Sequence, residues 1–214
     1  MRLQLAIDTQ TLSEAEALVS RVRDLVDLVE VGTPLMIREG VGAVRRLRAV
    51  FPDLTLVADL KIADGGHFEA TLGFEAGARI VTVLAAAADE TIRDAVRAGH
   101  ERGGEVMVDL MGVSDLARRA AEVDRLGVRW VCLHTSVDVQ RGDAEHRAVQ
   151  GLRRVKDVLR SAGTAVAGGI TAATAPALAA LRPDLVVVGS AIARAADPRA
   201  AATALRRALG EERP

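Results

Sequence analysis

The chain has one cysteine, Cys132, one tryptophan, three phenylalanines and no tyrosine among its 214 residues. A single cysteine excludes an internal disulfide and fits a reducing compartment. With so few aromatic side chains, the chain lacks the stacking platforms on which proteins bind single-stranded nucleic acids. An excess of charge of one sign is also missing, because 28 basic and 29 acidic residues leave a net charge of −1. The chain therefore has no overall field that would attract nucleic acid or an anionic membrane.

Long apolar runs are absent as well. The first run, residues 3–7, is too short for the apolar region of a signal peptide. No run approaches the roughly 18 residues needed to span a bilayer. With 50% hydrophobic and 27% charged residues, the composition is that of a globular protein with one substantial core. We expect a cytoplasmic protein that binds neither nucleic acid nor membranes.

Short apolar runs alternate with helical patterns along the whole chain. Eight runs are predicted as strands, at residues 3–7, 28–31, 55–58, 79–84, 105–108, 129–133, 164–167 and 185–188. They are short apolar runs rather than alternating patterns, with Glu30 inside the second, as expected for parallel strands buried on both faces. No linker or change in composition divides the chain. Eight strand–helix units in residues 1–214 predict a single-domain (β/α)8 TIM barrel, and a doubly wound open sheet is the alternative.

Several helix boundaries can be predicted from capping and breaking residues. Ser13 and Glu16 have the spacing of a capping box at the start of the first helix. The break at residues 32–34 predicts a helix over residues 38–50, and another helix is predicted over residues 171–181. A polar segment, residues 140–145, precedes the helix after the sixth strand.

The third strand runs into a charged segment. Asp59, Lys61 and Asp64 lie within six residues and are followed by two glycines. Side chains two apart in a strand point to one side, so Asp59 and Lys61 are expected on the same face. Such charges are costly to desolvate unless they pair or hold a metal. The segment is therefore either the solvated start of a loop or part of a site.

In a parallel barrel, the carboxyl ends of the strands converge where active sites form. Polar residues and glycines follow most of the predicted strands: Asp8, Glu30, Asp59 with Lys61 and Asp64, Asp109, His134, Gly168-Gly169 and Gly189-Ser190. Their recurrence at one end of separate strands favours a site over solvated loops.

Two kinds of chemistry are suggested by these residue types. Glu30 and Asp59, on neighbouring strands, suit a hard divalent cation such as Mg²⁺, although Glu30 could instead be a buried acid paired with Lys61. His134 could be a general base or acid, or a hydrogen-bonded structural histidine. Cys132 lies inside an apolar strand and is interpreted as a core residue.

Glycines after the seventh and eighth strands allow backbone N–H groups to approach an anion closely. Barrels often bind phosphate at these two loops. Arg194 could add positive charge there or lie on the surface. The other histidines, His67, His100 and His146, have no assigned role.

The segments 3–8, 29–34, 59–64, 108–111, 134–135, 167–170 and 188–192 resemble the 3-hexulose-6-phosphate synthases, a family of the orotidine 5′-monophosphate decarboxylase superfamily. The pattern Asp59-x-Lys61-x-x-Asp64 is typical of the superfamily. The segment from Glu30 to Pro34 is typical of the branch shared with 3-keto-L-gulonate-6-phosphate decarboxylase.

The resemblance implies an aldolase that uses Mg²⁺ to join D-ribulose 5-phosphate and formaldehyde. It implies that Glu30 and Asp59 bind Mg²⁺ and that Lys61 and Asp64 bind the enediolate and substrate hydroxyls. His134 would move the C1 proton, with Asp109 also in the catalytic set. The remaining implied substrate- or phosphate-binding residues are Asp8, Gly168, Gly169, Gly189 and Ser190. Asp64 would be shared across a homodimer, and a 6-phospho-3-hexuloisomerase is an implied functional partner.

Three positions favour the synthase over the decarboxylase branch, which typically has Glu at Asp109 and Arg at Val137 and Ser190. The chain departs from the usual synthase pattern at Gly65-Gly66-His67, where Ala-Gly-Gly is common, and at Ser190, which replaces a glycine. The alternatives are a related sugar-phosphate decarboxylase or epimerase, and a catalytically silent scaffold. Glu30 argues against a metal-free decarboxylase, and the charged strand ends argue against a scaffold.

Overall fold

A computed structural model describes residues 1–9, 11–140 and 144–210. Eight parallel strands form a closed barrel in chain order, in which each strand pairs with the next and β8 pairs with β1. The predicted (β/α)8 barrel is therefore confirmed, and the open sheet is excluded. The strands are β1 (Arg2–Ile7), β2 (Leu28–Val31), β3 (Thr55–Ile62), β4 (Ile80–Leu84), β5 (Glu105–Asp109), β6 (Trp130–His134), β7 (Gly163–Ala167) and β8 (Leu185–Val188).

Helices connect successive strands and cover the outside of the barrel. They are α1 (Leu12–Val22), α2 (Thr33–Glu39), α3 (Gly42–Val50), α4 (Gly66–Glu75), α5 (Asp89–Arg102), α6 (Leu116–Asp124), α7 (Ala144–Val158), α8 (Ala175–Ala179), α9 (Ser190–Ala193) and α10 (Pro198–Ala208). Within the described ranges, none of these helices has the length and apolar character of a membrane span.

The apolar core has two layers. One lies between the barrel and its helices, and the other fills the barrel interior with Leu28, Val57, Ile80, Met107, Trp130, Cys132, Ala165, Ala167, Leu185 and Val187. Burial raises the pKa of the Cys132 thiol well above its usual value, which agrees with its interpretation as a core residue.

The interior positions change from apolar to polar along several strands. Side chains two apart share a face of a strand. The residues two positions after Leu28, Val57, Ile80, Met107 and Cys132 are therefore also directed inward, and they are Glu30, Asp59, Thr82, Asp109 and His134. The apolar layers fill one end of the barrel, and polar groups collect at the carboxyl end.

Helix α1 begins earlier than predicted. Its capping box consists of Thr11 and Glu14, with Glu14 N donating to Thr11 Oγ1 at 3.2 Å and Thr11 N donating to Glu14 Oε2 at 3.0 Å. The predicted box of Ser13 and Glu16 is wrong, because the same spacing occurs two residues earlier, where Thr11 has the extended backbone that a cap requires. Glu16 instead pairs with Arg46.

The helix predicted over residues 38–50 is two helices. Helix α2 begins at Thr33, with Pro34 in its first turn, and ends at Gly40, whose φ of +61° stops the helix before α3 begins. Strand β3 continues four residues beyond the predicted residue 58, and the helix predicted over residues 171–181 is limited to Ala175–Ala179. Of the polar segment predicted at residues 140–145, positions 141–143 lie outside the described residues.

Candidate active site

Strand β3 carries a local irregularity at the site. Its pairing with β4 shifts register between Ala58 and Ile62, and Lys61 has a φ of +48°. Left-handed backbone at a residue with a Cβ costs about 1–2 kcal/mol. Thr82 of β4 holds this bend, because its Oγ1 accepts a hydrogen bond from Lys61 N at 2.9 Å and donates one to Asp59 Oδ1 at 2.8 Å. The bend turns Lys61 back toward Asp59.

Asp59 is buried and surrounded by donors. Its Oδ2 accepts hydrogen bonds from Lys61 Nζ at 2.5 Å, Thr33 Oγ1 at 2.6 Å and Thr33 N at 3.2 Å. Burial alone would raise the pKa of Asp59, but the charge and hydrogen bond of Lys61, with the hydroxyls of Thr33 and Thr82, hold that pKa below its usual value. Asp59 is therefore a carboxylate at neutral pH.

Lys61 connects two carboxylates. Its Nζ lies 2.5 Å from Asp59 Oδ2 and 3.9 Å from Asp109 Oδ2. Burial alone would lower the pKa of Lys61, but the carboxylates, Asp59 foremost, raise it. Lys61 is therefore an ammonium group, held at the mouth of the barrel and able to stabilise negative charge on a bound molecule.

Asp109 and His134 form a pair at the ends of β5 and β6. His134 Nδ1 lies 2.7 Å from Asp109 Oδ2, and Met111 N donates to Asp109 Oδ1 at 2.8 Å. A carboxylate can only accept, so Nδ1 carries the hydrogen and Nε2 keeps its lone pair in the neutral ring. No hydrogen bond to Nε2 is present among the described residues. His134 thus has the tautomer of a general base, oriented by Asp109.

Glu30 is buried beside these groups. Gln4 Nε2 donates to its Oε2 at 2.9 Å. Burial, followed by the charge of Asp59, raises the pKa of Glu30 to about 8. The alternative pairing of Glu30 with Lys61 is not observed, because the ion pairs of Lys61 are with Asp59 and Asp109.

Glu30 and Asp59 fit a magnesium ion as its protein donors. Burial and a neighbouring carboxylate both disfavour the ionised form of Glu30, so a cation between the two carboxylates would relieve that cost. Nowhere in the described part of the chain do three or more Asp, Glu, His or Cys side chains gather as a metal site. Mg²⁺ commonly uses one or two carboxylates and completes its shell with water and substrate oxygens.

Glycines follow β7 and β8 at the carboxyl end of the barrel. At Gly168, with φ +96°, an added Cβ would lie 2.1 Å from the carbonyl oxygen of Thr135. Gly169 also has a left-handed φ of +70°, and Ser190 begins the short helix α9 after Gly189. Only glycine gives the chain this close approach and leaves backbone groups open to a ligand.

Asp8 lies between the β2 and β8 loops. A Cβ on Gly32 would lie 2.1 Å from Asp8 Oδ1, and one on Gly189 would lie 3.4 Å from Asp8 Oδ2. Partial burial, followed by the charge of Asp59, raises the pKa of Asp8, and the charges of Lys61 and Arg194 oppose the shift. Arg194 therefore lies close enough to the site to influence its charge.

One predicted site residue stands apart. Asp64 is exposed, and its Oδ1 accepts a hydrogen bond from Gly65 N at 2.8 Å. The chain turns away from the barrel at Gly65, where φ is +59°. The structure therefore joins Asp59 with Lys61 but leaves Asp64 outside the cluster. His67, which follows, pairs with Glu101 of α5.

Three polar residues that contact the site were not predicted from the sequence: Gln4, Thr33 and Thr82. Gln4 and Thr82 interrupt apolar strands, and both are almost completely buried. That signal is available in the sequence, because a polar residue in a strand buried on both faces requires a partner. Thr33 follows a glycine at the end of β2 and is predicted there as part of a chain break and of the segment typical of the branch, but not as a residue that contacts the site.

The chain is similar over nearly its whole length to known proteins. A 3-hexulose-6-phosphate synthase of Bacillus subtilis is 41% identical over 210 residues, which cover 98% of this chain and 99% of the relative. The crystal structure of 3-hexulose-6-phosphate synthase from Salmonella typhimurium is 44% identical, with a TM-score of 0.93 and 98% of each chain covered.

A more distant structure is that of 3-keto-L-gulonate-6-phosphate decarboxylase from Vibrio cholerae. It is 30% identical, has a TM-score of 0.83, and the match covers 100% of this chain and 99% of that one. The family model described as "Orotidine 5'-phosphate decarboxylase / HUMPS family" matches residues 1–205. The chain therefore belongs to the orotidine 5′-phosphate decarboxylase / HUMPS family.

Proposed function

We propose that this chain is a 3-hexulose-6-phosphate synthase, which uses Mg²⁺ to join D-ribulose 5-phosphate and formaldehyde into D-arabino-hex-3-ulose 6-phosphate. The names of full-length relatives at about 40% identity support the activity. The observation that carries the chemistry is the contact series Asp59–Lys61–Asp109–His134, which puts a base and an ammonium group together at the carboxyl end of the barrel.

The base is His134. Its Nε2 would take the proton from C1 of ribulose 5-phosphate while Asp109 holds the ring through Nδ1. The electron pair left on C1 moves toward the C2 carbonyl and forms an enediolate, whose charge Lys61 Nζ would stabilise by donating a hydrogen bond. C1 of the enediolate then bonds to the carbon of formaldehyde, and the aldehyde oxygen takes up a proton.

Glu30 and Asp59 are the residues that would hold Mg²⁺. A divalent cation held there would supply Lewis-acid polarisation of substrate oxygens. Asp59 is oriented for this role by Thr33 and Thr82, and Glu30 by Gln4.

The phosphate would bind backbone N–H groups of Gly168, Gly169, Gly189 and Ser190, at the two loops that commonly hold phosphate in such barrels. Asp8 would accept hydrogen bonds from sugar hydroxyls. Formaldehyde has too few atoms to contribute much binding energy, so recognition depends on the sugar phosphate.

A second function is supported by the likeness to the 3-keto-L-gulonate-6-phosphate decarboxylase structure. Decarboxylation of a 3-keto sugar acid phosphate would pass through the same enediolate and use the same cation and lysine. The shorter acid Asp109, and the absence of arginine at Val137 and Ser190, favour the aldolase.

A homodimer would complete the site. Ile37, Phe68 and Val137 are 81%, 69% and 77% exposed, and they follow β2, β3 and β6 on the face that carries the site. Burial of these side chains would favour association. A second copy on this face would bring its own Asp64 to the cluster that lacks it.

The shared site can be tested by mixing two inactive variants, Lys61→Ala and Asp64→Asn. A mixed dimer of these variants would regain one complete site of two, so activity should return on mixing. No recovery despite proven exchange of subunits would contradict the sharing of Asp64. We further propose a cytoplasmic enzyme whose ketose product is consumed by a 6-phospho-3-hexuloisomerase.

The activity itself is tested by following loss of formaldehyde with ribulose 5-phosphate, with Mg²⁺ and then with a chelator. Consumption that stops with chelator supports the proposal. If formaldehyde is not consumed but C1–H exchanges in D₂O, the enediolate chemistry stands and decarboxylation becomes the candidate. If neither occurs, the proposed substrate is wrong.

A further inference from the structure

Gln4 is a polar residue of the barrel interior that takes no direct part in the chemistry described above. It lies on β1, is completely buried, and points to the same side as Ala6, which packs against the interior cluster. Its Nε2 donates to Glu30 Oε2 at 2.9 Å. An amide at this depth is costly unless its hydrogen bonds serve a purpose.

The other half of the amide is unsatisfied. Gln4 Oε1 is buried and has no hydrogen-bond partner among the described residues. With the amide turned over, the carbonyl oxygen of Gln4 would face Glu30, and the ionised Glu30 that binds a cation has no hydrogen to give it. One half of the Gln4 amide is thus paired with Glu30, and the other half is a buried carbonyl oxygen without a partner in the described residues.

This contact divides the two oxygens of Glu30. Oε2 is occupied by the N–H group of Gln4, whereas Oε1 has no hydrogen bond in the described part of the chain. Glu30 Oε1 is not completely buried, so it remains accessible to a small ligand. Glu30 therefore offers one oxygen to a cation and withholds the other.

The number of oxygens that a carboxylate offers affects which cation it prefers. Ca²⁺ takes six to eight oxygens in flexible geometry and often binds both oxygens of one carboxylate. Mg²⁺ is smaller and octahedral, and it requires shorter contacts from fewer protein oxygens. A glutamate restricted to a single oxygen suits the smaller cation.

We propose that Gln4 is a positioning residue that limits Glu30 to one donor oxygen and thereby favours Mg²⁺ over Ca²⁺. This inference rests on the metal site of the proposed function and adds the residue that determines its selectivity. Gln4 touches Glu30 and not the reacting atoms.

The test is a pair of calorimetric titrations of the full chain, with Mg²⁺ and with Ca²⁺. Both are done with ribulose 5-phosphate present and formaldehyde absent, so that substrate oxygens are available and no turnover occurs. Gln4→Met has nearly the same shape and removes the donor. Loss of a residue that orients a metal ligand typically costs about 10–100-fold in affinity. We expect Mg²⁺ affinity to fall at least about 10-fold, with Ca²⁺ affinity unchanged or higher.

Thr71→Val is the matched control. Thr71 Oγ1 is the other buried side-chain atom without a partner in the described residues, and it lies on helix α4. Thr71→Val should leave the melting temperature unchanged, whereas Gln4→Met also leaves Glu30 Oε2 without its donor and should lower it. Only Gln4→Met should change the ratio of Mg²⁺ to Ca²⁺ affinities, because a structural effect would not change it.

The outcomes separate this inference from the proposed function. If the wild-type chain binds Mg²⁺ and Gln4→Met keeps the same ratio, the role of Gln4 is refuted and the metal site stands. If the wild-type chain binds neither cation, the metal site fails and the inference fails with it. Gln4→Leu is measured if Gln4→Met does not fold. Failure of both to fold, with Thr71→Val folded, would identify a structural amide and refute the proposal.

Discussion

Replacing Asp109 with asparagine tests the base most directly, because it changes one oxygen to nitrogen. In the wild-type chain, Asp109 Oδ2 lies 2.7 Å from His134 Nδ1 and Oδ1 is held by Met111 N. In Asp109→Asn, the amide oxygen can keep the bond to Met111 N. The amide NH₂ group then faces Nδ1 and can only donate, which moves the ring hydrogen to Nε2.

Two effects contribute to the expected loss of activity. A hydrogen bond to a charged group contributes about 1.5–3 kcal/mol, which corresponds to roughly 10–100-fold in rate at 1.36 kcal/mol per factor of ten. Reversal of the tautomer removes the base, and a general base contributes about 10²–10⁴-fold. The second effect includes the first, so we expect C1–H exchange to slow by about 10²–10⁴-fold.

The assay is exchange of the C1 proton of ribulose 5-phosphate in D₂O, followed by NMR without formaldehyde. The control is Asp124→Asn, which changes another buried carboxylate, one that accepts hydrogen bonds from Arg160 N, Ser161 N and Ala162 N far from the site. The control should be less stable but should exchange normally. Exchange by Asp109→Asn within about threefold of wild type would refute the assignment of the base, since even the hydrogen bond alone predicts more.

Three further predictions concern the cation, the phosphate and the stability of the fold. Glu30→Gln and Asp59→Asn should each abolish Mg²⁺-dependent turnover while the melting curve remains cooperative; unchanged turnover in both would remove the metal assignment. In Gly168→Ala, the added Cβ would lie 2.1 Å from Thr135 O, so we expect a higher KM for ribulose 5-phosphate. Gly210 also has a positive φ but has open space around it, so Gly210→Ala should lower the free energy of unfolding by about 1 kcal/mol without changing that KM. Asp27→Ala breaks the ion pair with Arg206, which is 2% exposed. The free energy of unfolding measured by urea titration should fall by about 3–5 kcal/mol. A loss under about 1 kcal/mol would mean that solvent screens this pair.

The barrel could be predicted because its strands and its site obey the same constraint. A parallel strand covered on both faces must be apolar until it reaches the open end of the barrel. A charged residue at or near the end of an apolar run, such as Glu30, Asp109 or His134, therefore marks both the end region of a strand and a position at the mouth. The structure agrees with this reasoning for β2, β5 and β6.

Local backbone strain could not be predicted in the same way. A period of two places Asp59 and Lys61 on one face but gives no reason for a left-handed residue between strand and loop. The contact of Lys61 with Asp59 depends on Thr82, which is 21 residues further along and pairs through the sheet. Hydrogen bonds of this kind become apparent only when the register of β3 and β4 is known.

Asp64 shows the opposite relation between sequence and structure. Its closeness to Lys61 in sequence predicts closeness in space, but β3 ends at Ile62 and the left-handed Gly65 turns the chain outward. The same turn leads directly to Phe68, which is 69% exposed on the face of the site. Closeness in sequence to Lys61 therefore does not place Asp64 in the cluster within one chain, because the turn at Gly65 separates them.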